Sequence, residues 1–460
     1  MKNSFLKIKR FAKCFIALVI ICVNCTSCSV FSDPQTLMSP PKAQGELKGI
    51  EDALSASIGA MSYSFVYPIS GDNRSACITE DIDNNGLREA FVFYKIKENN
   101  EIHINLLINE SKDEKTAWQS VFDMALTGTG VDKVDFVDLC GDSKKEILIG
   151  CNMYNESSNV LYIYDFTDAS KLIQMTKENY TNYTICNLTG DNKSQIMLFN
   201  LGTSTLSGEA DINQSAVTKT AAAKLITLNS DTSGITTVIG NVGIDRSMTA
   251  ISAISQTKTI DGKTALLVDA YKGSSLMITE VLCYDNGLKN LYCDIATGEN
   301  ISTRRQILIN SRDIDDDKML EIPFAEAIAD ADKSNVENAM YYTTWKKPKE
   351  NGFEKVSSGY FTATGKYYLK LSDEWINSTT VKSFADESKD SFYKYDALSG
   401  ISEELISIKT FDKMTFNKNS EGYIKAVESE DKIVAVKVNE KAEEYGVDYN
   451  YLKRNIVTFN

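Results

Sequence analysis

The chain has 460 residues, room for two or three domains, with 49 Lys and Arg against 63 Asp and Glu and a net charge of −14. That balance argues against nucleic acid and against anionic membrane surfaces, since both are bound by basic side chains that neutralise phosphate. A single histidine, His103, excludes histidine zinc clusters, and the alternation of Glu101-Ile-His-Ile-Asn around it reads as a strand face rather than a catalytic site.

Residues 1–28 have the three parts of an export signal. Lys2, Lys7, Lys9, Arg10 and Lys13 form a basic start, and Phe15 to Val23 an apolar core too short to span a bilayer. Cys25-Thr-Ser-Cys28 follows. This ending resembles the lipobox of bacterial lipoproteins, although the family prefers Leu where Cys25 stands. The resemblance implies that Cys28 is lipidated, becomes the mature N-terminus and anchors the chain on the extracytoplasmic face of the membrane. Residues 29–45 hold three of the six prolines without periodicity and read as a linker. In residues 46–74, Leu47, Ile50, Leu54 and Ile58 predict a short amphipathic helix, and Ser64-Phe-Val-Tyr leads into β structure.

From residue 75 to 361 short strands recur between Gly/Asn/Asp turns. The first turn is Asp81-Ile-Asp83-Asn-Asn85-Gly-Leu-Arg-Glu89, followed by the apolar run Ala90 to Tyr94, and its counterpart is Asp313-Ile-Asp315-Asp-Asp317-Lys-Met-Leu-Glu321. Both place oxygen-bearing side chains at positions 1, 3, 5 and 9 of a loop, a pattern that can wrap one hard cation such as calcium. Asp, Asn and Gly also build turns without any metal. An EF-hand is excluded: position 12 is Val92 or Phe324 where a carboxylate is required, and a β-rich run follows.

Weaker copies lie between the two full ones. Asp138, Asp142 and Glu146 form a reduced donor set in which Cys140 replaces an acidic residue, and Asn187-Leu-Thr189-Gly-Asp191 leads to Gln195. Ile260-Asp-Gly-Lys-Thr264 keeps only the turn. The starts are 57, 49, roughly 70 and roughly 57 residues apart, a period suited to four-stranded propeller blades.

The Asp-x-Asp-x-Asn-Gly-x-x-Glu loop before a hydrophobic strand resembles the FG-GAP/VCBS repeat of integrin-like β-propellers. The resemblance implies calcium held by Asp81, Asp83, Asn85 and Glu89 with the Leu87 carbonyl, and by Asp313, Asp315, Asp317 and Glu321 with the Met319 carbonyl. The whole layout, leader included, also resembles a group of Firmicutes surface lipoproteins. The expected fold is therefore mainly β: a propeller of about five or more blades, followed over 362–460 by a small α+β domain that closes in a helix from Glu440 to Thr458.

Beyond Cys28 six cysteines remain, in a compartment that permits disulfides. Cys283 and Cys293 flank a predicted hairpin turn and are the expected pair. The functional expectation is a binding or scaffold module for a protein or cell-wall glycan. A polysaccharide hydrolase or lyase, or a sensor subunit of a membrane system, is the alternative. No catalytic set stands out among 63 acidic residues. Trp118 and Trp345 are candidates for sugar stacking, with core packing as the plainer role.

Overall fold

The computed structural model describes residues 45–458, apart from 99, 110–117, 155–157, 169–170, 192, 203–220, 229–235, 329–339, 363–366 and 417–419. The expected leader, Cys28 and the linker up to residue 44 lie outside the described residues. By contact the chain separates into two units. One holds the residues up to Ala60 with Leu107–Ser120; the other holds Met61–Leu106 with Val121 onward.

In the first unit, helix α1 (Glu46–Ile58) buries Ile50, Leu54 and Ile58, one residue per turn, while Leu47 faces solvent. Gly59 ends it at φ 73, a left-handed conformation that glycine adopts without strain, and its amide caps the Ser55 carbonyl.

The chain is mainly β, in six open antiparallel sheets among the described residues. The first sheet places Glu89–Ile96 centrally, beside Tyr63–Phe65, Cys77–Glu80 and Ile102–Asn109, with Trp118–Leu126 at the far edge. The next three each run in chain order. The second is Gly130–Val137, Glu146–Asn152, Asn159–Asp168 and Lys171–Tyr180; the third is Asn182–Cys186, Gln195–Asn200, Ala222–Leu228 and Thr236–Gly243. The fourth is Ala250–Lys258, Thr264–Lys272, Leu276–Tyr284 and Leu288–Asn290.

The strand after each of the first three acidic turns is largely apolar because both of its faces are covered. Ile147 and Ile149 pack with Phe91 and Phe93 of the first sheet, while Leu148 between them packs with Ile196 and Leu198 of the third. Met197 and Phe199 then meet Leu266 and Val268 of the fourth sheet, whose Ala265 and Leu267 meet Ile322. Side-chain alternation thus joins each sheet to the one before and the one after.

The fifth sheet is Ile322–Ala327, Tyr341–Lys349, Gly352–Thr362, Tyr367–Leu371 and Ile456–Thr458. The expected domain boundary at 361/362 falls inside one of these strands, and Tyr367–Leu371 continues the same ladder. The sixth sheet holds Thr379–Phe384, Lys389–Asp396, Gly400–Asp412, Lys432–Val438 and Ile424–Glu428. Helix α2 (Asp373–Ser378) leads into it and buries Trp375.

The expected closing helix over 440–458 is corrected. The chain forms two short helices, α3 (Glu440–Glu443) and α4 (Tyr449–Asn455), broken at Gly446 (φ 73), and returns as a strand on Tyr367–Leu371. Asp448 starts α4 afresh by accepting the Tyr451 amide at 2.6 Å.

Candidate metal centre

The first three acidic turns hand the chain from one strand to an inner strand of the same sheet, the fourth leads from the bridge at Arg312 into the edge strand Ile322–Ala327, and one hydrogen bond recurs in all four. The side chain at position 9 turns back to accept the amide at position 2: Glu89 from Ile82 at 3.0 Å, Glu146 from Leu139 at 2.7 Å, Gln195 from Leu188 at 2.8 Å and Glu321 from Ile314 at 2.8 Å. Position 1 satisfies the middle of the turn. Asp81 accepts the Asn85 and Gly86 amides at 3.2 and 3.0 Å, Asp138 accepts those of Gly141, Asp142 and Ser143, and Asp313 those of Asp317 and Lys318. Gly86 sits at φ 85, and Lys318 adopts φ 70 at the same point of the fourth turn. Lysine there carries strain that glycine does not.

In the first turn, carboxylate oxygens of Asp81, Asp83 and Glu89 lie within 4.8 Å of one another. Asp83 accepts the Asn85 amide at 3.2 Å, and Asn85 Oδ1 accepts the Leu87 amide at 2.7 Å. Among the described residues none of the three carboxylates forms an ion pair. Glu89 is 3% exposed, and burial first, then Asp83 and Asp81, lift its carboxyl to about 7 against the pull of the Ile82 amide. Hard oxygens converging without a counter-charge fit a divalent ion of the calcium type.

The fourth turn differs. Asp313, Asp315 and Asp317 also converge within 4.8 Å, and Met319 donates its amide to Asp317 at 2.9 Å. But Lys347, from the neighbouring strand, points its ammonium among them, 2.8 Å from Asp315, 2.6 Å from Asp317 and 3.2 Å from Glu321. The lysine is 6% exposed; burial would lower its pKa, but the three carboxylates outweigh burial and hold it above the ordinary range. Lys347 in turn depresses Asp317, while burial lifts Glu321 to about 7. The donor set expected to hold calcium already surrounds a positive charge.

The intermediate turns are filled in other ways. Burial and the Glu146 carboxylate push the Cys140 thiol up to about 12, and the neutral thiol donates to Glu146. In the third, Gln195 Nε2 donates to Thr189 Oγ1 at 2.8 Å, Asp191 Oδ1 at 3.1 Å and the Lys193 carbonyl at 2.6 Å. At Ile260-Asp-Gly262 only the turn survives, with Gly262 at φ 81.

The expected Cys283–Cys293 bridge is not formed; both are free thiols. The register is the reason. Cys283 faces Lys289 across the hairpin, so Cys293 lies beyond the paired strand. His103 behaves as a strand-face side chain, hydrogen-bonded through Nδ1 to Asp123 at 2.8 Å and stacked on Tyr94. Trp345 is 0% exposed and packs against Tyr368, which removes it as a sugar platform. Sequence reasoning missed Lys347, because only strand register separates it from its neighbour Lys346.

No family model matches the chain, and no curated protein does. Among solved structures, a hypothetical protein from Leishmania major is similar over 66% of this chain and 91% of its own, with 10% identity and a TM-score of 0.24. That likeness is too slight to bear on fold or function.

Proposed function

We propose that this is an exported lipoprotein, anchored through Cys28 on the extracytoplasmic face of the membrane, whose successive sheets are blades of an FG-GAP/VCBS-like β-propeller stiffened by calcium. Its role is that of a binding or scaffold module for a protein or cell-wall glycan. One observation carries the reading: the bond from position 9 to the amide at position 2 recurs at four turns, three of which enter an inner strand of their sheet and the fourth the edge strand Ile322–Ala327. A repeated turn that feeds a repeated sheet is what propeller blades require. Calcium would be held by Asp81, Asp83, Asn85 and Glu89, where it would neutralise converging carboxylates and fix the turn against the blade. Its contribution is stiffness, and no reaction is assigned to it.

The test is retention on arrayed cell-wall glycans and surface proteins, with millimolar calcium and with chelator, beside an assay for released reducing sugar. Retention without turnover supports the binding module. Turnover moves the assignment to a hydrolase or lyase, and neither retention nor turnover overturns the glycan and protein readings together.

A further inference from the structure

We infer that Lys347 is the resident cation of the Asp313 turn, so that the chain's own ammonium closes this turn and no divalent ion is taken up there. Lys347 belongs to Tyr341–Lys349, which pairs with Ile322–Ala327 in a register that sets Lys346 opposite Ile322 and brings Lys347 beside Glu321. Its Nζ lies 2.8 Å from Asp315 Oδ2, 2.6 Å from Asp317 Oδ2 and 3.2 Å from Glu321 Oε1. These are positions 3, 5 and 9, three of the donors that the resembled repeat gives to its metal. The lysine side chain is only 7% exposed, so its ammonium is covered, although Asp315 and Asp317 around it are 33% and 40% exposed. A divalent ion among the same oxygens would meet that charge nearly at contact.

The third turn repeats the device with a neutral group. Gln195 Nε2 reaches Thr189, Asp191 and the Lys193 carbonyl, positions 3, 5 and 7, from position 9 itself. With the Cys140 thiol donating to Glu146 in the second turn, three of the four turns thus carry their own hydrogen-bond donors at the centre. The first has no such cation, since Asp81, Asp83 and Glu89 form no ion pair among the described residues. If the calcium reading above is right, the chain binds one divalent ion rather than two. That count rests on the calcium reading; the assignment of Lys347 does not.

Equilibrium dialysis of the full chain against radioactive calcium at millimolar concentration separates the two. The expected result is one ion per wild-type chain, lost in the Asp81→Asn/Asp83→Asn double variant, and one additional ion in Lys347→Met. A wild-type chain that takes two ions, or one that loses its ion on Asp313→Asn/Asp317→Asn, overturns the inference. So does a folded Lys347→Met chain that gains none. If wild type takes no ion while Lys347→Met takes one, the Lys347 assignment stands and the calcium reading of the first turn falls. Should Lys347→Met not fold, Asp317→Asn decides in its place. Its melting temperature must fall by the same amount in chelator as in calcium, and a fall seen only in calcium overturns the proposal.

Discussion

Arg305 Nη2 donates to Asp269 Oδ1 at 2.9 Å, and each of the two residues is 2% exposed. The pair ties the connection from Asn290 to Ile322, which carries only isolated bridges, to the fourth sheet. Arg305 also donates to the Ile309 carbonyl at 2.8 and 3.2 Å, while Asp269 accepts the Ser311 amide at 2.7 Å and the Thr279 hydroxyl. Apart from the Thr279 bond, which lies within the fourth sheet, each joins sheet to connection or closes the turn of the connection on itself. Two charges removed from water are tolerable here because their remaining hydrogen-bonding capacity is filled as well.

Breaking that pair from one side should therefore be costly. Asp269→Asn leaves a guanidinium buried without a counter-ion and is expected to lower stability by about 3–5 kcal/mol in urea denaturation. Hydrogen exchange should quicken at Ser311, whose amide loses its acceptor. A loss below about 1 kcal/mol would mean that the charges are solvated and the pair is not buried as described.

A second buried carboxylate sets the response to acid. Burial alone would raise the Asp245 pKa, but Lys272 at 2.8 Å, Ser247 and the Asn300 amide outweigh it and hold the carboxyl below its ordinary value. A carboxyl depressed on folding contributes stability above its unfolded pKa, about 4, and that contribution is lost as pH falls through the lower folded value. Denaturation of wild type and Asp245→Asn should show a gap that is full at pH 7 and narrows as pH falls below about 4. A gap of constant size at every pH would refute the assignment.

What could be read from the sequence is what is decided locally. Asp, Asn and Gly at fixed offsets make the acidic turns, and apolar runs such as Ala90–Tyr94 make the doubly covered strands behind them. Helix α1 is equally local, since Ile50, Leu54 and Ile58 mark one face. The misses depend on register or on tertiary competition. Glu440–Thr458 has helical spacing, but Gly446 breaks it and the free edge of Tyr367–Leu371 captures Ile456–Thr458. Cys283 and Cys293 flank a real turn, but the ladder pairs Cys283 with Lys289. Lys346 and Lys347 are adjacent and chemically equal, and only the pleat decides which one enters the Asp313 turn.

Both hairpin cysteines should accordingly react as thiols. Unfolding the chain in denaturant with N-ethylmaleimide and no reductant, then mapping peptides, should find Cys283 and Cys293 each alkylated. Reductant should leave the melting temperature unchanged. A peptide linking the two residues would contradict the register.

Calcium at the first turn should appear as stabilisation that its donors control. Extracellular modules commonly bind calcium at about 10⁻⁴–10⁻³ M, so the titration must reach several millimolar. At ten times the dissociation constant, one site adds about 1.4 kcal/mol to the folded state. The melting temperature should rise accordingly in wild type, and Asp83→Asn should abolish most of the rise while leaving the calcium-free value nearly unchanged. An equal rise in both chains would place the ion elsewhere.

The spacing between successive sheets rests in part on a missing side chain. Gly240, in the outer strand of the third sheet, lies so close to Leu288 of the fourth that a Cβ placed on it would fall 2.3 Å from the Leu288 Cβ and 2.9 Å from its backbone nitrogen. A flexible side-chain tip could swing away; a backbone atom and a Cβ cannot, so Gly240→Ala must push the two strands apart. Overpacking of this kind costs about 1–3 kcal/mol, and the rigidity of the obstacle puts Gly240→Ala at the upper end. Removing the opposing Cβ as well, with Leu288→Gly, deletes buried apolar surface but also the closest contact, leaving only the backbone ones, so the two changes should couple and the double variant should lose less than the sum of the singles. Urea midpoints of the four chains measure that coupling. Additive losses would mean that the third and fourth sheets do not meet at these residues, and the sheet-to-sheet packing inferred from their shared core would lose its support.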